Sequence, residues 1–268
     1  MRKLIRAILF IITLAVVLAV AGVVVAILFT DKAVKSVVET AGTKTLNVGV
    51  QVGKANASLL SGAVRLQDIN VANPPGYQGA ALVKLQRVDI QADVASVLGK
   101  QVLIKDMKLQ NMEVFVEQKG LQNNLYQVIK PLREPHEPTG KSLVIDNLEI
   151  TNVTVHAGLA ALSGQPQSVD LKLASIRMVD LGRSEKVDTA VLISKILLAV
   201  AAGIAEQGGG ILPKETVGDL GSILDKAIDI GKIIFGPGGK TTDGQQKDSL
   251  GKSAIDGIKD LFGGKKKE

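Results

Sequence analysis

Leu103-Ile104-Lys105-Asp106-Met107-Lys108-Leu109-Gln110-Asn111-Met112-Glu113-Val114 aligns without a gap on Val144-Ile145-Asp146-Asn147-Leu148-Glu149-Ile150-Thr151-Asn152-Val153-Thr154-Val155, 41 residues further on. A fainter copy, Val64-Arg65-Leu66-Gln67-Asp68-Ile69-Asn70-Val71-Ala72-Asn73, precedes both. In each copy apolar residues fall at every second position, the pattern of a half-buried strand. The parity then switches across two consecutive polar residues. Because side chains alternate faces along a strand, such an insert turns the apolar set toward solvent unless the backbone absorbs it. Bulges are therefore expected near Asp68, at Lys105-Asp106 and at Asp146-Asn147. Asn111 and Asn152 suit turns, where asparagine tolerates the left-handed conformation.

The alternation extends outward from these copies, from Leu46 through Val48, Val50 and Val52, across Val88, Ile90 and Ala92, to a last strand between Gln167 and Leu181. Asn73-Pro74-Pro75-Gly76 must interrupt it, since proline cannot donate to a ladder. Asn123-Asn124 can cap a short helix over Leu125 to Lys130, and the proline-rich stretch from Pro131 to Lys141 reads as a loop. Beyond Gly182 the periodicity becomes helical, with segments Val187 to Ala205, Val217 to Phe235 and Leu250 to Phe262 joined by glycine-rich breaks. The uncharged part of the first, Ile196 to Ala205, is too short to span a bilayer.

Ahead of the strands, Arg2, Lys3 and Arg6 precede a nearly unbroken apolar run from Ala7 to Phe29. A bilayer core takes about 20 helical residues, so this run is long enough to cross. The cations before it place the N-terminus in the cytoplasm and the remaining mass outside. A cleaved signal peptide is the competing reading, through Ala19-Val20-Ala21, but it lacks a polar stretch before Phe29. Ala33 to Ala41 continues as an amphipathic helix that Gly42 is expected to stop. The predicted fold class is thus α+β, with an N-terminal transmembrane helix, a curved, groove-like antiparallel β-sheet and C-terminal amphipathic helices. The corresponding divisions are residues 1–42, 43–182 and 183–268.

Several chemistries are poorly supplied. The chain has no cysteine, and its two histidines are His136 in the proline-rich loop and His156 at a strand end. No zinc set with ordinary ligand spacing can be assembled from these, and no cofactor is expected. Phe235-Gly236-Pro237-Gly238-Gly239-Lys240-Thr241 ends like a phosphate-binding loop, but Ile234 stands where the motif requires its first glycine, so a flexible joint is expected. The formal charge of +6 is concentrated at the ends, in Arg2, Lys3, Arg6 and Lys265-Lys266-Lys267. With no tryptophan and few other aromatics, the body lacks a basic stripe with stacking residues, so nucleic acid is not an expected partner. No catalytic residue is assigned, and no enzymatic activity is expected.

The basic start and apolar run, the stretch Val64 to Tyr77 with its Asn73-Pro74-Pro75-Gly76, the strands Val88 to Leu98 and Ile104 to Val116, and Asn123-Asn124-Leu125 together resemble the N-terminal region of AsmA-like proteins. The resemblance covers about residues 1–181. It implies a single-pass protein of the inner membrane, anchored through residues 7–29, with a periplasmic curved sheet. On its concave face the sheet would shelter the acyl chains of membrane lipids, as in chorein-like lipid-transfer bridges, in the service of lipid transport or outer-membrane maintenance. Other envelope proteins are further partners it suggests. The helical end beyond Val187 does not resemble the extended sheet of larger members.

Candidate lipid-lining residues are Leu66, Ile69, Val71, Val88, Ile90, Val102, Ile104, Met107, Leu109, Met112, Val114, Ile145, Leu148, Ile150, Val153, Val155, Leu171 and Leu173. For each, ordinary core packing is the competing role. Exposed apolar surface costs about 25 cal/mol per Å², so the face must be covered either by lipid tails or by the chain's own helices, which would leave a tethered scaffold without cargo. Eight to ten strands at about 4.8 Å give a groove of roughly 40 to 50 Å, too short to bridge an envelope.

Overall fold

In the computed structural model, residues 31–58, 60–97, 99–119, 122–133, 141–159 and 167–209 are described, together with 212, 217–218, 220–221, 233–235 and 241–242. The apolar run 7–29, His136 and the segment 250–262 lie outside the described residues.

Among the described residues ten strands form the sheet: β1 (Val50–Ser58), β2 (Ala63–Ala72), β3 (Ala81–Ala92), β4 (Gln101–Lys119), β5 (Gln122–Asn123), β6 (Ser142–Leu159), β7 (Gln167–Leu173), β8 (Ile176–Leu181), β9 (Ile233–Phe235) and β10 (Thr241–Thr242). The main path runs β1-β2-β3-β4-β6-β8-β9-β10, with β5 beside β4 and β7 beside β6. The sheet is mixed, which corrects the antiparallel expectation: β4 and β6 run parallel, while every other pair is antiparallel. Their register sets Leu103 against Val144, Ile104 against Ile145 and Val114 against Val155. The two strong sequence copies therefore lie side by side, each residue next to its own equivalent. Only parallel strands can do this, since antiparallel neighbours reverse the order.

Asp68, Asn111 and Asn152 take left-handed backbone angles, with φ of 56°, 58° and 54°. The ladder is interrupted at Gly53, Asp68, Gln86, Asn111 and Asn152, which lie opposite one another on β1, β2, β3, β4 and β6. Asn111 and Asn152 are not in turns, as expected from sequence, but inside strands that continue past them. A second line crosses Lys105, Asp146 and Asp180, the last with φ of 55°. At Lys105 the register against β3 shifts, a true bulge; at Asp68 and Asp146 the neighbouring strands kink together and no register is lost. Gly53 is required at its kink, because a Cβ there would stand 2.8 Å from Cβ of Asp68. Across these lines every strand turns its apolar set back to the same face, which resolves the parity switch.

Helix α1 is described over 31–46. It runs through Gly42 rather than stopping there; a Cβ at Gly42 would meet the methyls of Val50 at 3.1 Å, so glycine serves close packing against β1. The helix also guards the sheet edge. Val50, Val52 and Ala57 donate their outward backbone N–H groups to Thr43 Oγ1, Glu39 Oε1 and Asp31 Oδ1 at 3.0, 2.8 and 2.6 Å. An edge strand with satisfied donors no longer invites another strand. Helix α2 (Val94–Val97) bridges β3 and β4, and α3 (Asn124–Ile129) packs on β4. Asn123 caps α3 by accepting from the Tyr126 N–H, as the asparagine pair suggests.

Helix α4 (Thr189–Gln207) starts at Asp188, whose carboxylate accepts from the Val191 N–H at 2.9 Å. Residues from Ser194 to Ala205 are all buried, so α4 is enclosed on every side and packs on β7, β8 and α3. Its 19 residues are long and apolar enough for a membrane span, but its burial marks it as a core helix. Lys195, in the middle, is 3 % exposed and reaches Glu185 at 2.6 Å. The expected helix from Val217 to Phe235 is overturned at its end: Ile233–Phe235 is β9, paired with β8. The expected flexible joint leads into β10, with Thr241 opposite Ile234.

Candidate functional site

The strand register assembles the candidate residues into apolar rungs running across the sheet. One rung joins Leu66, Val88, Leu109, Ile150 and Ile176. On one side of it lies Val64, Ile90, Met107, Leu148 and Met178; on the other, past the kink line, lies Val52, Ile69, Leu85, Met112, Val153 and Leu173. A fourth holds Val50, Val71, Val83, Val114, Val155 and Leu171, and a fifth Ala92, Ile104, Ile145 and Leu181. Val102, beside Leu143, sits past the fifth. The kinks of β4 and β6 thus align two apolar stretches that a regular strand would have placed on opposite faces.

The candidate set missed Val83, Leu85, Ile176, Met178 and Leu181, and it left out Val50, Val52, Val64 and Ala92, which were read only as strand residues; all of these complete the rungs. On β3 the parity changes at Gln86, which carries none of the Asn, Asp or Gly signals marking the kink elsewhere. On β8, Ile176 and Met178 were legible as alternating apolar residues within the expected strand.

This face is well covered. All the candidates are buried except Ile69, Ile90 and Val102, which are partly buried and packed against the core. Part of the cover comes from α4, α3 and α1, joined by Leu212, Val217, Leu220 and Phe235 in the same apolar cluster. Val34, Val64, Val97 and Leu143 resemble Ile90 and Val102 in being only partly buried. Most of this less covered group lies at one end of the sheet, where β1 ends and β2, β4 and β6 begin.

The opposite face is polar. Arg65 and Arg87 both reach Asp89, at 2.7 and 2.5 Å, and Arg177 lies 3.5 Å from Glu149. The hydrogen bond from Arg87, aided by Arg65, holds the Asp89 carboxyl below the usual carboxylate range despite its partial burial. A hollow of about 510 Å³ follows the kink line, lined by Asp68, Asn70, Lys84, Gln86, Asn111, Glu113, Asn152 and Thr154 among others. Along it, Asn152 Nδ2 donates to Asn111 Oδ1 at 3.0 Å, and Asn111 Nδ2 donates to Gln86 Oε1. The described hollows on this face are open, and two of them touch rung residues, Ile69 and Leu85 along the kink line and Val64 and Ile90 nearer the β1–β2 hairpin. His156 stacks on Phe115 with ring centroids 5.0 Å apart and places Nδ1 2.8 Å from Asp170 Oδ1. Among the described residues no group of histidine, aspartate or glutamate is arranged to hold a metal ion.

A curved mixed sheet with one continuous apolar face, edged by a helix that follows an apolar N-terminal run, defines an α+β sheet-and-helix module. The chain belongs to the AsmA family, whose sequence model matches residues 1–179. The match ends within β8, so α4 and everything after it lie beyond it. Comparison with curated proteins gives no match.

Proposed function

We propose that this AsmA-family protein works at the inner membrane, tethered by residues 7–29 with its sheet on the periplasmic side, and holds lipid acyl chains against the apolar face of that sheet without catalysing a reaction. One observation carries the proposal: five apolar rungs cross the sheet in register, forming a single greasy face across its antiparallel and parallel parts. Where that face is least covered, at Val64, Ile90 and Val102, it lies toward the sheet end at which Asp31 of α1 holds β1. Tails leaving the outer leaflet would meet this part first. The family match agrees with a lipid-related role in the envelope.

Burial of most of the rungs under the chain's own elements favours a second reading, a tethered scaffold with no cargo. A photo-activated benzophenone side chain in place of Ile90 separates the two. If lipid is held, irradiation in membranes yields lipid adducts at position 90, detected by mass spectrometry, and none at Lys108 on the polar face. Absence of adducts at 90 rejects the lipid reading and leaves the scaffold.

A further inference from the structure

Four large apolar side chains are exposed among the described residues: Val37 on α1, and Leu60, Val94 and Leu103, at 92 %, 43 % and 42 %. The last three share one end of the sheet. Leu60 lies in the β1–β2 hairpin, Val94 in α2 and Leu103 at the start of β4, and backbone hydrogen bonds knit these loops together, Gly62 to Ser58, Ala92 to Gly62 and Asp93 to Leu103. The hairpin is tightly set: Gly62 has φ of 69°, and a Cβ there would lie 2.1 Å from the Ala92 carbonyl oxygen. Leu60 is thus an almost fully exposed leucine on a well-held turn, where a polar residue would ordinarily stand.

The opposite end of the sheet contrasts with this. Its β2–β3 loop is tied by polar groups, with Glu117 accepting from Asn73 Nδ2 and from the Gln78 and Gly79 N–H groups, and Lys119 donating to the Gly76 carbonyl. None of the described large apolar residues is exposed there.

Two further observations identify what the apolar end meets. Asp31 is two residues past the run 7–29, and its carboxylate accepts from the Ala57 N–H, three residues before Leu60. The point where the chain emerges from that run is therefore fastened beside the hairpin tip. Lys32, Lys100 and Lys141, all exposed, flank the patch. Of its carboxylates, Asp31 and Asp93 accept backbone N–H groups and Glu185 is paired with Lys195, while Asp106, opposite Gln91, is exposed on the polar face. Apolar tips ringed by lysine are what a phospholipid surface takes, apolar groups at the acyl boundary and ammonium groups among phosphates.

We infer that the sheet end formed by Leu60, Val94 and Leu103 rests on the bilayer that residues 7–29 enter, with Leu60 inserted at the interface. This holds the sheet upright on the membrane and presents its least covered apolar part to the outer leaflet. The inference rests on the anchor reading.

The absence of cysteine allows a direct test with single-cysteine variants of the full chain, each carrying an environment-sensitive fluorophore, in vesicles of phosphatidylethanolamine and phosphatidylglycerol. The sites are Leu60→Cys at the tip, Gln78→Cys at the far end and Val17→Cys within the apolar run. Expected are blue-shifted emission at position 60 and several-fold stronger quenching by nitroxide-labelled lipid than at 78. Adding Leu60→Asp, a change at a solvent-exposed site, should return a label at Val94→Cys to an aqueous spectrum. If 17 is quenched while 60 behaves like 78, the docked end is wrong and the anchor stands. If 17 is not quenched either, the anchor reading itself falls.

Discussion

At Asn111 the chain turns left-handed inside a strand, a conformation that costs an ordinary L residue roughly 1–2 kcal/mol. Asparagine accepts it more readily than most, and the amide ladder Asn152 to Asn111 to Gln86 holds the kink from outside. Both Asn111→Val and Asn111→Gly remove the side-chain hydrogen bonds, but only valine opposes the positive φ. Urea denaturation should place the valine variant about 1–2 kcal/mol below the glycine one. Equal stabilities would mean that backbone conformation has no part in the choice of residue. The left-handed preference was readable in the sequence because Asn111 and Asn152 occur at the same place in two copies. That they would interrupt strands instead of ending them was not, since asparagine's tolerance of positive φ is the same in either setting.

Among the elements, the apolar spacing of β4 and β6 was legible residue by residue, and their direction was not. Alternation is identical in parallel and antiparallel strands; direction depends on the connection. The connection from Lys119 to Ser142 is long enough for a crossover, and the ungapped repeat fits a parallel neighbour, so both signals were present. α1 shows a similar division: its amphipathic character was readable, but its use of Asp31, Glu39 and Thr43 as acceptors for the edge of β1 depends on a contact no local pattern encodes. Glu39→Ala leaves the Val52 N–H without its charged acceptor, and removing such a bond costs about 1.5–3 kcal/mol, less where water can replace it. Hydrogen exchange should therefore quicken at Val52, while amides of β4 and β6 in the sheet interior stay protected. Unchanged exchange at Val52 would show that α1 does not guard this edge.

For the whole molecule the question is whether the apolar face is a sealed core or a surface that lipid can reach, and Val114 is well placed to answer it. It is 1 % exposed, stands between Val83 and Val155 in its rung, and lies far from the sheet end where the cover thins. Ile69, on the neighbouring rung, is only partly buried. Aspartate at either site puts a carboxylate on the apolar face, but the cost follows the environment. A buried carboxylate without a partner costs several kcal/mol, while one near water relaxes by taking up solvent or a proton. With Tm falling by roughly 2–4 °C per kcal/mol for a body of about 150–250 residues, Val114→Asp should lower Tm by about 10 °C or more, and Ile69→Asp by much less. Suppose instead that Val114→Asp melts like the parent chain while the benzophenone at position 90 no longer captures lipid. Then the central rungs face cargo in the working protein, and the helices over them form a cover that tails displace. A large drop in Tm with lipid still captured by the Ile69→Asp variant would confine binding to the thinly covered end and make the middle of the sheet a permanent core.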